Sequence, residues 1–363
     1  MSKTILARAP GKALLLGEYA VLEGAPALVA AVDRFAEVTL TFPAPHFSVS
    51  SPFIGAGALR FDISRHGEVA FPPHTPLETV QRLRFFNTAI RFAGQEIRSR
   101  QKALPTAAIR LNTSSFYLAG KDVKLGLGSS AALTVALIAG LFHSAGLPMS
   151  EEADRLHFFQ IALSAHHEAQ QKIGSGVDIA ASTFGGILQY QLIQDSLTMP
   201  TLIEEMQMPE SLQLLFIWTG TSASTQQFVQ KVQEFKSRKP EAYREIIKRM
   251  THISTQGCRA FSGHQVKQFL NSVSEYYRLM EYLGNQSGAP IISEVHQQLA
   301  EIVEAAGGVY KPSGAGGGDL GIAFAASDKI VSQIKQRLKQ TAFQTISLSV
   351  AQHGIVSYKQ KEV

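Results

Sequence analysis

The chain has 363 residues, of which 45% are hydrophobic and 17% charged, with a net charge of +5. That much apolar material excludes a disordered or purely coiled-coil protein and, at roughly 150 residues per domain, suits two domains. The basic excess is too small to argue for nucleic acid and suits small anionic ligands, while a single cysteine, Cys258, excludes a disulfide framework and a cysteine-rich metal site.

The first half reads as strand-rich. Thr4 to Ala9 alternates weakly, and Ala36, Val38, Leu40 and Phe42 alternate with Glu37, Thr39 and Thr41 as in a half-buried strand. Ala58 to Ile63 and Ala107 to Asn112 are further expected strands, and Leu77 to Phe92 has helical spacing behind Pro72, Pro73 and Pro76. A helix is expected from Ser129 to about His143, and another from an N-cap at Ser150 through Leu156, Phe159 and Leu163 to a stop near Gly174. The longest apolar stretch, Ala131 to Phe142, falls short of the ~18 residues of a membrane span. With Arg8, Lys12 and Glu18 interrupting the N-terminal segment, this predicts a cytoplasmic protein without a signal peptide. Gly185 to Tyr190 reads as a turn into a strand, and residues 191–210 as irregular, with a domain boundary among them. Leu212 to Trp218 suits a buried strand. Amphipathic helices are expected from Thr225 to about Ala305. A strand (Gly321 to Ala325), a helix (Asp328 to Leu338) and two strands (Phe343 to Val350, Ile355 to Lys359) close the chain.

Four segments carry chemistry. In Lys124 to Leu137, Gly126 and Gly128 permit close backbone approach, and Ser129 and Ser130 open a helix whose first N–H groups lack partners, which is an anion site. The same pattern also suits a serine-capped turn before a core helix. In Lys311 to Phe324, glycines at 314, 316, 317 and 318 exceed what a tight turn needs. Lys311, Ser313 and Asp319 add groups suited to a phosphate or its metal. In His166 to Ala180, Asp178 follows a Gly-Ser-Gly turn and is either a presented carboxylate or a helix cap. His166 and His167 are adjacent, so they cannot form an i,i+4 metal pair, and one packed and one exposed ring is expected. In Ala9 to Leu22, a Pro-Gly turn delivers Lys12 to an apolar strand, where it needs an anion or an exit to water.

Taken together and in this order, these segments resemble the GHMP small-molecule kinases over nearly the whole chain. Ala9 to Leu22 resembles that family's first motif, Gly126 to Ala132 its ATP loop, and Lys311 to Asp319 its third motif. Gly17-Glu18-Tyr19, Ala169 to Asp178 and Trp218 to Thr225 resemble its phosphomevalonate kinase branch. The resemblance implies an α+β, two-domain fold: a ribosomal protein S5 domain 2-like N-terminal domain (1–200) and a ferredoxin-like C-terminal domain (201–363), with the site between them. It implies ATP and Mg²⁺ as cofactors, with Lys124, Gly126, Leu127, Gly128, Ser129 and Ser130 on the nucleotide and Ser129 on the metal. Lys12 and Asp178 are the implied catalytic pair; Tyr19, Gly174, Ser175, Ser224, Thr225, Ser313 and Gly316 are implied to hold the acceptor. Lys172 is a further candidate for the acceptor side and Glu168 for the metal. The expected acceptor is phosphomevalonate, with mevalonate or another hydroxyl acceptor as the alternative, and the expected assembly is a monomer or homodimer.

Overall fold

The computed structural model describes residues 2–55, 57–118, 120, 123–149, 151–171, 174–193, 201–222 and 225–360. In chain order, the first half comprises β1 (Lys3–Leu16), β2 (Ala27–Phe42), β3 (Ser48–Ser50), β4 (Leu59–Arg60), β5 (Asp62–Ile63), β6 (Val69–Ala70), α1 (Leu77–Arg82), α2 (Arg84–Ser99), β7 (Ala108–Asn112), α3 (Ser129–Ala145), α4 (Glu152–Ala169) and α5 (Val177–Phe184). There follow β8 (Ile187–Leu192), β9 (Thr201–Met206), β10 (Gln213–Trp218), α6 (Thr225–Arg238), α7 (Pro240–Ser262), α8 (Val266–Ser287), α9 (Glu294–Glu304), β11 (Val309–Pro312), β12 (Leu320–Ala325), α10 (Asp328–Leu338), β13 (Gln344–Ile346) and β14 (Val356–Lys359).

The first sheet runs β14-β1-β2-β7-β3-β4, with β8 paired to the first half of β2 and β9 to β8. The long β1–β2 pair shifts register at Pro10/Gly11. The expected Pro-Gly turn is therefore a bulge inside one continuous strand, which is where a sheet tolerates proline and re-aims the next side chain, here Lys12. Helix α3 is buried on nearly all sides against α2, β1 and β2. Its apolar residues leave no polar stripe, as expected of a central helix. The second sheet, β11-β12-β10-β13, is antiparallel. Along β10, Phe216 and Trp218 face the main core, while Leu215 and Ile217 face a smaller cluster with Leu299, Val303, Tyr310 and Ile334. Both faces are covered, which is why that strand reads as an unbroken apolar run.

Several expectations are corrected. The segment 77–92 is two helices broken at Leu83, and the second runs on to Ser99. Ala58 to Ile63 divides at Phe61 between two sheets. The region expected to be irregular holds β9, whose partner β8 lies in the first sheet, and β14 returns from the C-terminal end to pair with β1. The strand expected from Phe343 to Val350 stops at Ile346. Ser150 lies outside the described residues; Glu151 occupies the N-cap position of α4, which ends at Ala169 rather than near Gly174.

Candidate active site

The Lys124–Ser130 loop is held from beneath and open above. Leu125 and Leu127 are buried, while Gly126 between them is exposed. Leu125 donates to the Phe116 carbonyl at 2.9 Å, and the Leu127 carbonyl accepts from Lys12 N at 2.9 Å. Gly126 and Gly128 have φ of 70° and 76°, the left-handed region that L side chains avoid. Gly128 is the N-cap of α3 and no side chain among the described residues caps that end, so the first N–H groups of the helix are left for an anion. A cleft of about 490 Å³ opens over this end, lined by Lys124, Gly126, Leu127, Gly128 and Ser129, with Ser222 and Asp319 opposite.

Lys12 and Asp178 meet at the same helix start. A Cβ built on Gly128 would lie 3.1 Å from Lys12 Cγ and 3.7 Å from Asp178 Cβ. Asp178 sits in the first turn of α5, behind Gly176 at φ 81°. The third motif closes on this point from the second sheet: a Cβ on Gly126 would strike Asp319, and one on Gly314 would come 3.6 Å from Lys12 Nζ. The three glycine-bearing segments thus converge, although Lys12 and Asp319 are about 300 residues apart in sequence.

His166 backs this centre. Its Nε2 lies 3.2 Å from Ser130 Oγ and 4.0 Å from Asp178 Oδ2, and its ring stacks on Phe85 at 5.1 Å. Burial holds the pKa of His166 below the ordinary histidine range against the opposing pull of Asp178, and the same holds for His167. His167 is half-buried rather than exposed. Tyr190, whose hydroxyl pKa is raised by burial and by Asp178, donates to the Ser175 carbonyl at 2.5 Å and anchors the Gly-Ser-Gly turn.

A second cleft of about 220 Å³ is lined by Lys12 and Asp178 themselves. Tyr19, Gly174, Ser175, Gly314 and Ala315 line it, with Leu14, Val21, Leu22, Val177 and Val229 as an apolar wall. Several other candidates make contacts within the fold. Lys311 is fully buried and ion-paired to Glu18, so it is not a phosphate ligand. Ser313 Oγ accepts from Leu14 N at 3.0 Å, a bond between the two sheets. Gly316 packs on the Ile291 carbonyl, where any Cβ would collide. Glu168 pairs with Arg91 and lines neither cleft. Ser224 and Lys172 lie outside the described residues, and Thr225 opens α6. The cleft over α3 offers hard oxygen donors in Ser129 and Asp319, and no group of three or more His, Cys, Asp or Glu forms a metal cluster among the described residues. So sparse a set fits Mg²⁺, which keeps water and phosphate oxygens as its other ligands. No helix among the described residues is long and apolar enough to cross a membrane.

The sequence reading missed the Glu18–Lys311 pair and the approach of His166 to Asp178. Neither has a local signature: the first joins residues 293 apart, and the second depends on how α4 lies against α5.

Comparison with known proteins places these features in context. Residues 89–186 match the family model "GHMP kinases N terminal domain". The chain is 30% identical to a phosphomevalonate kinase of Streptomyces sp., covering 97% of this chain and 99% of that one. It is 29% identical to the mevalonate kinase of Mus musculus over 99% of this chain and 96% of that one. The structure superposes on Streptococcus pneumoniae phosphomevalonate kinase, solved in complex with phosphomevalonate and AMPPNP, with a TM-score of 0.78 at 19% identity, covering 95% and 99% of the two chains.

Proposed function

The chain belongs to the GHMP kinase family, and on that premise we propose that it is an ATP-dependent phosphomevalonate kinase, transferring the γ-phosphoryl group of ATP to 5-phosphomevalonate. The observation that carries this reading is the meeting of Lys12 and Asp178, which line the smaller cleft, beside Gly128 at the open N-terminus of α3, which lines the larger one. The cleft over Gly126 to Ser130 suits the triphosphate, because unpaired helix N–H groups and the helix dipole favour anions. The smaller cleft suits a short branched acceptor, its apolar wall facing methyl and methylene groups.

In the reaction a terminal phosphate oxygen of the acceptor attacks the γ-phosphorus. The bond from that phosphorus to the β–γ bridging oxygen breaks, and ADP leaves with the electron pair. The second pKa of a phosphate monoester is about 6, so the nucleophile is already largely ionised near neutral pH. The protein then has little proton to remove and must position the partners and cancel charge. Lys12 supplies a cation beside both the transferred group and Asp178. Ser129 and Ser130 hold the triphosphate, and the Ser129 hydroxyl would be the protein ligand to Mg²⁺, which when bound neutralises phosphate charge. Tyr19, Gly174 and Ser175 border the acceptor.

A second reading has one observation in its favour. Lys12 is the one cation among the described residues lining the acceptor cleft. A hydroxyl acceptor such as mevalonate needs less positive charge there and gives Asp178 a proton to take. Steady-state ADP release with phosphomevalonate and with mevalonate decides between them. Turnover at least ten times more efficient on phosphomevalonate is expected (about 1.4 kcal/mol of discrimination); preference for mevalonate would replace the first reading with the second.

A further inference from the structure

We propose that Glu18 and Lys311 form a buried positioning pair that locks the third-motif loop onto the Lys12 strand and so sets Lys12 at the point of transfer. Lys311 is 0% and Glu18 2% exposed. The ammonium group of Lys311 spends its three N–H bonds on Glu18 Oε1, on the Leu14 carbonyl at 3.2 Å and on the Pro312 carbonyl at 2.7 Å. Glu18 Oε1 also accepts from Gly314 N at 3.3 Å. Two further bonds stitch the same seam: Leu14 N donates to Ser313 Oγ, and the Tyr19 hydroxyl donates to the Ala315 carbonyl at 2.6 Å.

The arrangement is a poor device for stability alone. Apolar pairs of similar volume often hold a core equally well or better, because two charges taken from water must first recover their hydration. Here one carboxylate oxygen, Glu18 Oε2, has no hydrogen-bond partner among the described residues, so the recovery is incomplete. What the pair does achieve is local. Lys12, Glu18, Tyr19, Gly314 and Ala315 all line the acceptor cleft. Gly314, held by Glu18, is the residue whose added Cβ would approach Lys12 Nζ at 3.6 Å. Lys12 and Lys311 are close enough to repel, burial and this repulsion both pressing the Lys311 pKa down while Glu18 supports it. Glu18 therefore neutralises the buried lysine and leaves the charge of Lys12 to the phosphoryl group.

This inference rests on Lys12 being the cation at the transferred group, not on which acceptor is used. The test compares Glu18→Gln, Lys311→Met and the double variant, each assayed with phosphomevalonate and with mevalonate alongside a thermal melt. Each single variant leaves one buried charge uncompensated, so both should melt lower and lose about 100-fold in kcat/KM for the acceptor, the penalty of a misplaced catalytic group. The double variant removes both charges together. Its melting temperature should recover while kcat/KM for the acceptor stays down by about tenfold or more and KM for ATP is little changed. Recovery of both melting temperature and activity would show the pair to be purely structural and overturn the proposal, as would wild-type kcat/KM in Glu18→Gln. If the double variant does not fold, Glu18→Gln decides alone. If wild type turns over mevalonate but not phosphomevalonate, the functional reading fails while this test is still read on mevalonate. If neither acceptor reacts, hydrogen exchange decides: in Glu18→Gln, exchange should rise in peptides covering 12–19 and 312–318 but not in α3, and unchanged exchange in those peptides overturns the proposal.

Discussion

Two glycines on one helix separate the effect of backbone strain from the effect of the site. Gly128 caps the start of α3 at φ 76°, ψ 37°, and Gly146 caps its end at φ 69°, ψ 35°. Alanine at either position must take up a left-handed backbone, at a cost of about 1–2 kcal/mol. Both Gly128→Ala and Gly146→Ala should therefore melt a few degrees lower, by roughly 2–4 °C per kcal/mol. Their surroundings differ. Nothing among the described residues lies within 4 Å of a Cβ on Gly146, whereas one on Gly128 lies 3.1 Å from Lys12 Cγ and 3.7 Å from Asp178 Cβ. Carbon atoms prefer about 3.5–4.0 Å, so the Lys12 stem must retreat by at least about 0.4 Å. The new methyl also stands at the helix start where the triphosphate is expected. A shift of about 1 Å at a reacting centre can cost about 100-fold, so a loss of about 10- to 100-fold in kcat/KM is expected for Gly128→Ala. Gly146→Ala should retain wild-type kinetics. Thermal melts paired with steady-state ADP release read both quantities. Equal activity in two equally destabilised variants would refute the placement of Gly128 at the transfer point.

Further outcomes follow from the same geometry. Lys12→Ala and Asp178→Ala should both lose most of kcat with unaltered melting, and if the acceptor oxygen belongs to a phosphate, Lys12→Ala should lose at least as much as Asp178→Ala; wild-type turnover in either removes the site assignment. Burial pushes the pKa of His296 down to about 4, and its Nδ1 lies 2.8 Å from the Tyr310 hydroxyl. A depressed histidine pKa means that the unfolded chain takes up the proton first. Stability is full above the unfolded pKa of about 6.5 and falls as pH drops toward 4, by about 2 kcal/mol at pH 5. In His296→Asn the melting temperature should therefore fall less between pH 7 and pH 5 than in wild type, and an unchanged difference refutes the assignment. Gly317 combines φ 78° with a Cβ position 2.2 Å from the Phe228 ring, so Gly317→Ala should destabilise by about 1–3 kcal/mol from overpacking. Phe228→Ala added to it should return part of that loss, as a double-variant melt would show.

The local signals in the chain were sufficient for the parts whose physics is local. Gly126 and Gly128 before a helix-opening serine permit a left-handed loop at a helix start, and both glycines take that backbone. The apolar run from Ala131 to Phe142 cannot be a surface helix, and α3 is central. Leu212 to Trp218 and Asp328 to Leu338 likewise appear where their periodicity places them. Tertiary structure decided what depends on distant partners. Lys311 reads as a loop cation beside glycines, yet it is buried because Glu18, 293 residues earlier, arrives to pair with it. Pro10-Gly11 reads as a turn, yet it is a bulge because β2 continues past it on the neighbouring strand. Ser313 and Gly316, implied by the resemblance to hold the acceptor, also serve the fold in a way only packing decides: Ser313 Oγ accepts from the Leu14 amide and Gly316 packs on the Ile291 carbonyl. A single stretch of chain specifies the torsions and caps of its own backbone; which groups lose water together is settled only when the sheets and helices pack, because burial and pairing are properties of the assembled whole.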